Sequence, residues 1–230
     1  MLDPFGLSSR RLRKPAVGKP HPIHPGWPEN TPEVTTATGL RVRLRPLRRG
    51  DGLAWREQRL VDEAWLSPVE PTATAGWEAA HTKVAWNEHL HMLNAQAKAG
   101  EIIPFAIEVE GEFAGQLTLG GIQHGSTASC WVGYWVASPV MGQGVAIAAV
   151  ALGMDHAFTR VGLHRISASY LPDNPASGQV LLANGFRREG LLRGFLHVAG
   201  AWRDHYQVSV LVDDFAESAV ARLRASGRLR

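Results

Sequence analysis

Apolar and basic residues alternate where the folded part of the chain begins. Residues 40–45 follow the two-residue period of a strand with one buried face. Asp51 then offers an N-cap, and the helix predicted after it is interrupted by the proline-containing segment 67–71. A longer helix is predicted from about 75 to 98. The chain therefore starts with one strand followed by two helices.

Short strands and tight turns then follow each other closely. Residues 104–109 and 113–119 flank a turn at Glu110-Gly111, the arrangement of a β-hairpin. Further strands are predicted at 130–136, 165–170, 191–198 and 201–212, and further helices at 145–158, from Asn174 to Asn184, and in the tail. Because two of the connections contain a helix, this order predicts an α/β fold: a mixed, mostly antiparallel sheet flanked by helices.

Composition divides the 230 residues into three parts. Residues 1–38 are rich in proline and carry a basic cluster, so they are predicted to be an extension of the domain at 39–215. Residues 216–230 are predicted to form a basic tail helix. The net charge of +3 gives no sign of nucleic-acid specificity. The extension's basic residues are Arg10, Arg11, Arg13, Lys14 and Lys19.

Several classes of protein are excluded by what the sequence lacks. A single cysteine, Cys130, rules out a disulfide framework and a multi-cysteine zinc site. No apolar run has the length of a membrane span, and residues 1–25 do not form a secretory signal. We therefore expect a cytoplasmic protein without a membrane partner or a bound metal.

A glycine-containing loop between a predicted strand and a predicted helix is the first candidate for chemistry. Small residues let backbone N–H groups approach a pyrophosphate, and the helix N-terminus adds partial positive charge. The loop is not a P-loop, and Ile147 replaces the third glycine of the dinucleotide-binding motif. A purely structural turn remains the alternative. The loop and the first residues of the helix are Met141, Gly142, Gln143, Gly144, Val145 and Ala146.

This loop resembles the pyrophosphate signature of the GNAT family of N-acetyltransferases. Gly144 and Ala146 occupy its small positions, whereas Met141 stands where Arg or Gln is usual. A second segment contains P-x-N-x-x-S at 172–177 and G-F-x-x-E-G at 185–190. This pattern is similar to the RimJ/RimL branch, and its continuation to His205 is more similar to RimJ. The resemblance spans about 40–215.

The resemblance implies the GNAT fold, with acetyl-CoA held between two splayed strands. It implies that main-chain groups near Val136 and in the loop at 141–146 contact the coenzyme. It also implies that Asn174 bonds the pantetheine arm and that Ser177 lies near the sulfur as the acid for the leaving thiol. From the residues alone, Asn174 can instead be a helix cap and Ser177 a solvated hydroxyl. The aromatic strand before Val136 can be sheet packing.

The implied reaction is direct acetyl transfer to a protein N-terminus in a ternary complex. The branch's substrate is the fifth small-subunit ribosomal protein, and either a monomer or a homodimer is compatible with the sequence. An α-amine has a reference pKa of about 7.7–8.0, against about 10.4 for lysine, so an N-terminus needs less help from a base. Acetylation of a small amine, such as an antibiotic or polyamine, and a noncatalytic acyl-CoA-binding module remain alternatives.

No catalytic base is evident, so each titratable candidate has two interpretations. Glu70 resembles the glutamate of the branch's P-W-E-P segment and is placed on the acceptor side, although an ordinary solvated carboxylate is the alternative. Glu108 is a second candidate, on a central strand. Cys130 is expected to be a core thiol rather than a nucleophile. Three histidines are assigned to a helix surface, and His205 to a structural role. The three are His81, His89 and His91.

Overall fold

The alternating segment near residue 40 becomes a strand close to one edge of an eight-stranded sheet, in a computed structural model that describes residues 26–230. The strand order is β1-β2-β3-β4-β5-β6-β8-β7, and only β5 and β6 pair in parallel. The predicted mixed, mostly antiparallel sheet is therefore confirmed. The strands are β1 Val34–Thr35, β2 Arg41–Pro46, β3 Ile103–Val109, β4 Glu112–Gln123, β5 Ser129–Val136, β6 Arg165–Tyr170, β7 Arg187–Val198 and β8 Ala201–Leu211.

Helices cover the two faces of the sheet. Helix α5 packs on one face, where Leu117 of β4 meets Gly153, and contacts α6 and α7. Helices α1 and α4 pack on the opposite face, around a cluster that includes Trp55 and Trp86. The helices are α1 Gly52–Val61, α2 Glu63–Leu66, α3 Trp77–Ala80, α4 Lys83–Lys98, α5 Val145–His156, α6 Pro175–Ala183 and α7 Ala219–Ala225. No helix within residues 26–230 is both long and apolar enough to cross a membrane.

Two predicted boundaries are wrong, and one predicted cap lacks its side-chain hydrogen bond. The helix predicted over 75–98 is divided, because the Thr82 side chain accepts from the Ala85 N–H and starts α4 afresh after α3. Asp51 occupies the N-cap position of α1 as predicted, but its side chain makes no capping bond to the helix, since its carboxylate accepts from Arg45 and from the Arg48 N–H. Strand β7 begins at Arg187 rather than 191. It is an edge strand exposed on both faces, so polarity does not mark its start.

Both ends of the described chain pack against the domain. Glu29, which the sequence assigns to the extension, is buried in an ion pair with Arg160 at 2.8 Å. The tail helix α7 is bound to α5, because the Asp155 carboxylate accepts from the first N–H groups of α7, and Leu223 of α7 is buried. The basic cluster at 10–19 lies outside the described residues. Within residues 26–230, the segments on either side of the predicted limits at 38 and 216 therefore share one hydrophobic core.

A buried ionic network joins the first two long strands to the start of α1. One oxygen of Glu108 accepts from Arg43 and the other from Arg45, each at 2.5 Å. Arg45 also donates to both oxygens of Asp51, at 2.8 and 2.9 Å. Each oxygen of Glu108 is thus bound to a guanidinium group and the residue is buried, which favours a structural role over that of the candidate base.

We expect Glu108→Ala to lower the free energy of unfolding by about 3–5 kcal/mol, because it leaves Arg45 buried with part of its charge uncompensated. Urea unfolding followed by circular dichroism measures the change. Glu112→Ala, at an exposed position on the neighbouring strand, is the matched control and should change little. Equal effects of the two substitutions would contradict a structural role for Glu108.

Candidate functional site

Strand β5 separates from β6 partway along its length. Pairing covers three residues of each strand and ends at Trp131 opposite Ser167. From there to Val136, β5 pairs only with β4 on its other side. The two strands thus form a V that opens towards Val136, as the family resemblance implies. Main-chain groups along one side of β5 face this opening.

Successive residues of β5 point to opposite faces of the sheet. Tyr134 points towards α6, where its hydroxyl contacts Ser177. Trp135 points towards α1, where its ring centre lies 4.9 Å from the Arg59 guanidinium carbon. The V therefore has one side built by α5 and α6 and another built by α1 and its neighbours.

The loop between β5 and α5 presents its backbone at the first of these sides. Gly142 and Gly144 have left-handed φ values of 72° and 81°, which side chains rarely adopt, and Gly144 is the N-cap of α5. The N–H groups of the first helical turn, including Val145 and Ala146, have no acceptor within the helix. Gln143 stiffens the loop, because its side chain donates to the Pro139 carbonyl at 2.8 Å.

The Met141 side chain is exposed and makes no hydrogen bond with the described residues. The loop is held instead through its main chain, where the Thr38 hydroxyl donates to the Gln143 carbonyl at 3.1 Å. The unusual methionine therefore leaves the backbone geometry of an anion site in place.

Asn174 and Ser177 meet at the start of α6. The Asn174 Oδ1 accepts from the Ser177 N–H at 3.2 Å, so the interpretation as a helix cap is confirmed. No residue in the described part of the chain accepts from the Asn174 Nδ2, which can therefore donate to a ligand. Ser177 is half-buried rather than freely solvated.

A tyrosine of the aromatic strand, for which the sequence predicted no contact with Ser177, completes this group. The Tyr134 Oη lies 3.1 Å from the Ser177 Oγ and 3.3 Å from the Ser177 carbonyl. Burial raises the pKa of Tyr134 to about 12, with the Ser177 hydrogen bond opposing the rise, so its proton is retained at neutral pH. The position of Tyr134 in the strand before the loop was the available signal, but its contact with Ser177 spans 43 residues of sequence.

On the other side of the V, Glu70 is bound by an arginine that sequence reasoning missed. Arg59 of α1 donates to both carboxylate oxygens, with Nη1 2.6 Å from Oε1. Its guanidinium carbon lies 5.0 Å from the Trp77 ring centre and 4.9 Å from that of Trp135. Burial raises the pKa of Glu70, whereas the charge of Arg59 opposes the rise. Glu70 is therefore a partly buried ion-pair partner, and the alternative of a solvated carboxylate is wrong.

The three helical histidines differ in burial. His81 is buried, bonded to the Arg59 Nε at 3.0 Å and to the Trp77 carbonyl, so its surface assignment is wrong. His89 is half-buried against Trp55, and His91 is exposed as predicted. Burial lowers the pKa of His81 and of His89, which keeps both neutral near pH 7. No group of three or more His, Cys, Asp or Glu in residues 26–230 is arranged to hold a metal ion.

Two further residues have the environments predicted for them. Cys130 is a buried free thiol, as expected, and burial raises its pKa to about 12, which disfavours the nucleophilic thiolate. His205 is buried on β8 against Phe195, with Nδ1 3.0 Å from the Arg203 carbonyl. Both environments suit structural roles.

The loop between α2 and α3 reaches from α1 to the turn joining β7 and β8. The Thr72 N–H donates to the His197 carbonyl at 2.9 Å, and the Gly200 N–H donates to the Thr72 hydroxyl at 3.0 Å. Since α1 packs on β4 whereas β8 lies beyond β6, this loop crosses the ends of β5 and β6. It therefore borders the V on the face that carries Glu70.

Comparison with known proteins agrees with this geometry. The family described as "Acetyltransferase (GNAT) domain" matches residues 41–187. The structure of Mycobacterium smegmatis RimJ in complex with CoA-disulfide is 46% identical, with a TM-score of 0.88, covering 90% of this chain and 99% of that one. The ribosomal-protein-S5-alanine acetyltransferase of Vibrio fischeri is 28% identical, with a TM-score of 0.68, covering 76% of this chain and 96% of that one.

A curated relative extends the match at the level of sequence. The [ribosomal protein uS5]-alanine N-acetyltransferase of Escherichia coli is 28% identical over 194 residues, which are 83% of this chain and 97% of that protein. The chain belongs to the GNAT acetyltransferase family, in its RimJ branch, and is an N-acetyltransferase.

Proposed function

We propose that this protein transfers the acetyl group of acetyl-CoA to the N-terminal α-amine of a protein, and that its acceptor is a cytoplasmic ribosomal protein. The observation that carries the proposal is the 46% identity to M. smegmatis RimJ over 90% of the chain, because that structure contains a coenzyme A disulfide. The E. coli relative's name specifies an alanine of ribosomal protein uS5 as the acetylated residue. We assign the same class of acceptor to this chain.

The open V between β5 and β6 is the proposed coenzyme site. Backbone N–H groups of residues 142–146 would bind the pyrophosphate, supported by the N-terminus of α5. The Asn174 Nδ2 would donate to the pantetheine arm. Main-chain groups at the end of β5, near Val136, would contact the acetyl group, where an N–H stabilises a developing oxyanion. Met141 contributes its main chain to this set.

Direct transfer then needs only a neutral amine and a donor to the leaving sulfur. The amine nitrogen forms the new bond to the acetyl carbon, the bond from that carbon to sulfur breaks, and the amine loses a proton to water. We assign Ser177 a position near the sulfur, as the family resemblance implies, where its hydroxyl protonates the departing thiolate and regains a proton from the water that took one from the amine. We assign the proton between the Tyr134 Oη and the Ser177 Oγ, which lie 3.1 Å apart, to the tyrosine, because this leaves the serine proton free to point at the sulfur. Cys130 takes no part.

Glu70 is assigned a positioning role on the acceptor side rather than that of a general base. Both of its oxygens accept from Arg59, which lies on Trp135 in the open half of β5. The pair therefore fixes the surface that the acceptor amine approaches. A water molecule is an adequate proton acceptor for an α-amine, because a substantial fraction of such amines is already neutral near pH 7.

We expect Ser177→Ala to lower kcat by about 100-fold, the lower range for loss of a proton donor, with little change in KM for acetyl-CoA. Tyr134→Phe should lower kcat by about tenfold. Because Tyr134 acts through Ser177, adding it to Ser177→Ala should cost little more. Steady-state kinetics of the two single variants and the double variant test this cycle. Independent, multiplicative losses would contradict the proposed pairing.

Glu70→Gln should lower kcat/KM for the acceptor at every pH. The rise of kcat/KM with pH should stay unchanged, because it follows deprotonation of the acceptor amine rather than of Glu70. A pH–rate profile from pH 6 to 9 measures this directly. Glu63→Gln, an exposed neighbour on α2, is the matched control and should behave as the unsubstituted protein does. Loss of the pH-dependent limb in Glu70→Gln alone would instead identify Glu70 as the base.

The acceptor class is tested by mass spectrometry of peptides incubated with the protein and acetyl-CoA. Peptides beginning with Ala, Ser or Thr should be acetylated at the α-amine, with a rate that rises as pH passes through about 7.7–8.0, where that amine loses its proton. Lysine-containing peptides with blocked N-termini are the controls. Acetylation confined to those controls, or to small amines, would contradict the proposed acceptor, and absence of acetyl-CoA binding would favour a noncatalytic module.

A further inference from the structure

A cavity of about 560 Å³ lies between α4 and β4, on the face of the sheet that carries Glu70. Its floor is formed by Gln116 and Thr118 of β4, and Trp131 of β5 borders it. Leu117, between the two floor residues, points to the opposite face and meets α5. The cavity is therefore separated by the sheet from the proposed coenzyme loop, and its volume falls in the usual range of ligand pockets.

Trp131 forms an exposed platform at the edge of this cavity. Its indole lies across three glycines, and a Cβ at Gly120 would come within 2.1 Å of the ring, one at Gly121 within 2.9 Å and one at Gly133 within 3.4 Å. Despite this close backbone support, the residue remains 47% exposed. The glycines therefore hold one face of a large aromatic ring on the sheet while its other face stays open to a partner.

The polar floor has hydrogen-bonding capacity left for a ligand. The Gln116 Oε1 lies 3.5 Å from the His89 Nε2, and the Gln116 Nε2 lies 3.4 Å from the Thr118 Oγ1. Both distances are at the long end of hydrogen bonding, so these contacts are weak. Met92 of α4 adds an exposed apolar wall. The cavity thus offers apolar surface around its rim and polar groups at its base.

The position of the cavity relative to the V limits what can occupy it. Thr118 is paired with Gly133, and Gln116 with Trp135, both in the half of β5 that has no β6 partner. Adjacent strands lie about 4.8 Å apart, so the cavity begins one strand away from the V. An extended polypeptide advances about 3.3–3.6 Å per residue. A chain whose α-amine stands at the V would reach Gln116 with its second residue. Trp131 lies five residues from Val136, about 17 Å along β5, so the long side chain of the fourth residue would be needed to reach it.

We propose that this cavity is a specificity pocket for a side chain at the second to fourth position of the acceptor polypeptide. The occupant is a long side chain with an apolar body, which packs on Trp131 and Met92, and a polar end, which bonds Gln116 and Thr118. The proposal rests on the proposed function, since it assumes that a polypeptide amine is placed at the V from the face opposite the coenzyme loop.

Hexapeptides that begin with alanine test the pocket. After the alanine, each test peptide carries a single tyrosine at position two, three or four and glycine at the remaining positions. The reference peptide carries glycine at all positions from two to six. At least one tyrosine peptide should have a KM about tenfold below that of the reference. Trp131→Ala should remove this difference and leave the KM for acetyl-CoA unchanged. Trp65→Ala, an equally drastic change at an exposed site that does not line the cavity, is the matched control.

Calorimetric titration of the same peptides into protein saturated with coenzyme A separates the pocket from the chemistry. Binding that favours tyrosine and needs Trp131 supports the pocket even if no peptide is acetylated. Absence of acetylation in that case would contradict the proposed function and leave the pocket supported. Met92→Ala, on the exposed surface of α4, is a second variant that should weaken the same peptide without affecting the fold. Equal binding of tyrosine and glycine peptides, or no peptide binding at all, would overturn the pocket.

Discussion

Strand β5 leaves its parallel neighbour after three residue pairs, and the rest of the site depends on this divergence. Within a continuous sheet, both sides of β5 would be occupied by ladder hydrogen bonds, and no main-chain group would be left for a substrate. Because β6 turns away after Ser167, β5 keeps its support from β4 while its other side faces an opening. A rigid, hydrogen-bonded strand thus presents unpaired backbone at a fixed position, which suits a site that must polarise a carbonyl.

Because successive residues of β5 point to opposite faces of the sheet, the two sides of that opening carry different side chains. Tyr134 reaches Ser177 on one side, whereas Trp131 and Trp135 stand on the other. A shift of one residue in the pairing with β4 would exchange these sets. The register from Gly115 opposite Val136 to Gly120 opposite Trp131 is therefore as important to the site as the identity of the residues. Gly120 has a direct part in it, because any side chain there would collide with the Trp131 ring.

Local sequence patterns predicted the features that depend on neighbouring residues. The sheet's strands, the Glu110-Gly111 turn and the Asn174 cap each involve groups only a few positions apart. The features missed from sequence depend on pairs far apart in the chain. The ion pairs of Glu108 were missed because its partners Arg43 and Arg45 lie more than 60 residues away. His81 was assigned to the surface because the spacing of the histidines does not indicate its contact with Arg59, 22 residues away in the chain.

Buried ion pairs occur on both faces of the sheet: Arg160, directly after α5, binds Glu29, and two further pairs hold α1 on the opposite face. The pairs of Arg45 with Asp51 and of Arg59 with Glu70 both attach α1, or the turn before it, to its surroundings on the face opposite α5. The core against α5 is instead dominated by small and aliphatic side chains, such as those of Ala148 and Val150. Apolar packing tolerates exchange of one side chain for another of similar size, whereas a bidentate ion pair fixes both direction and distance. The coenzyme side can thus rely on backbone geometry set by close packing. On the proposed acceptor side, α1 and the crossing loop are held by guanidinium groups whose partners cannot be moved without leaving a buried charge.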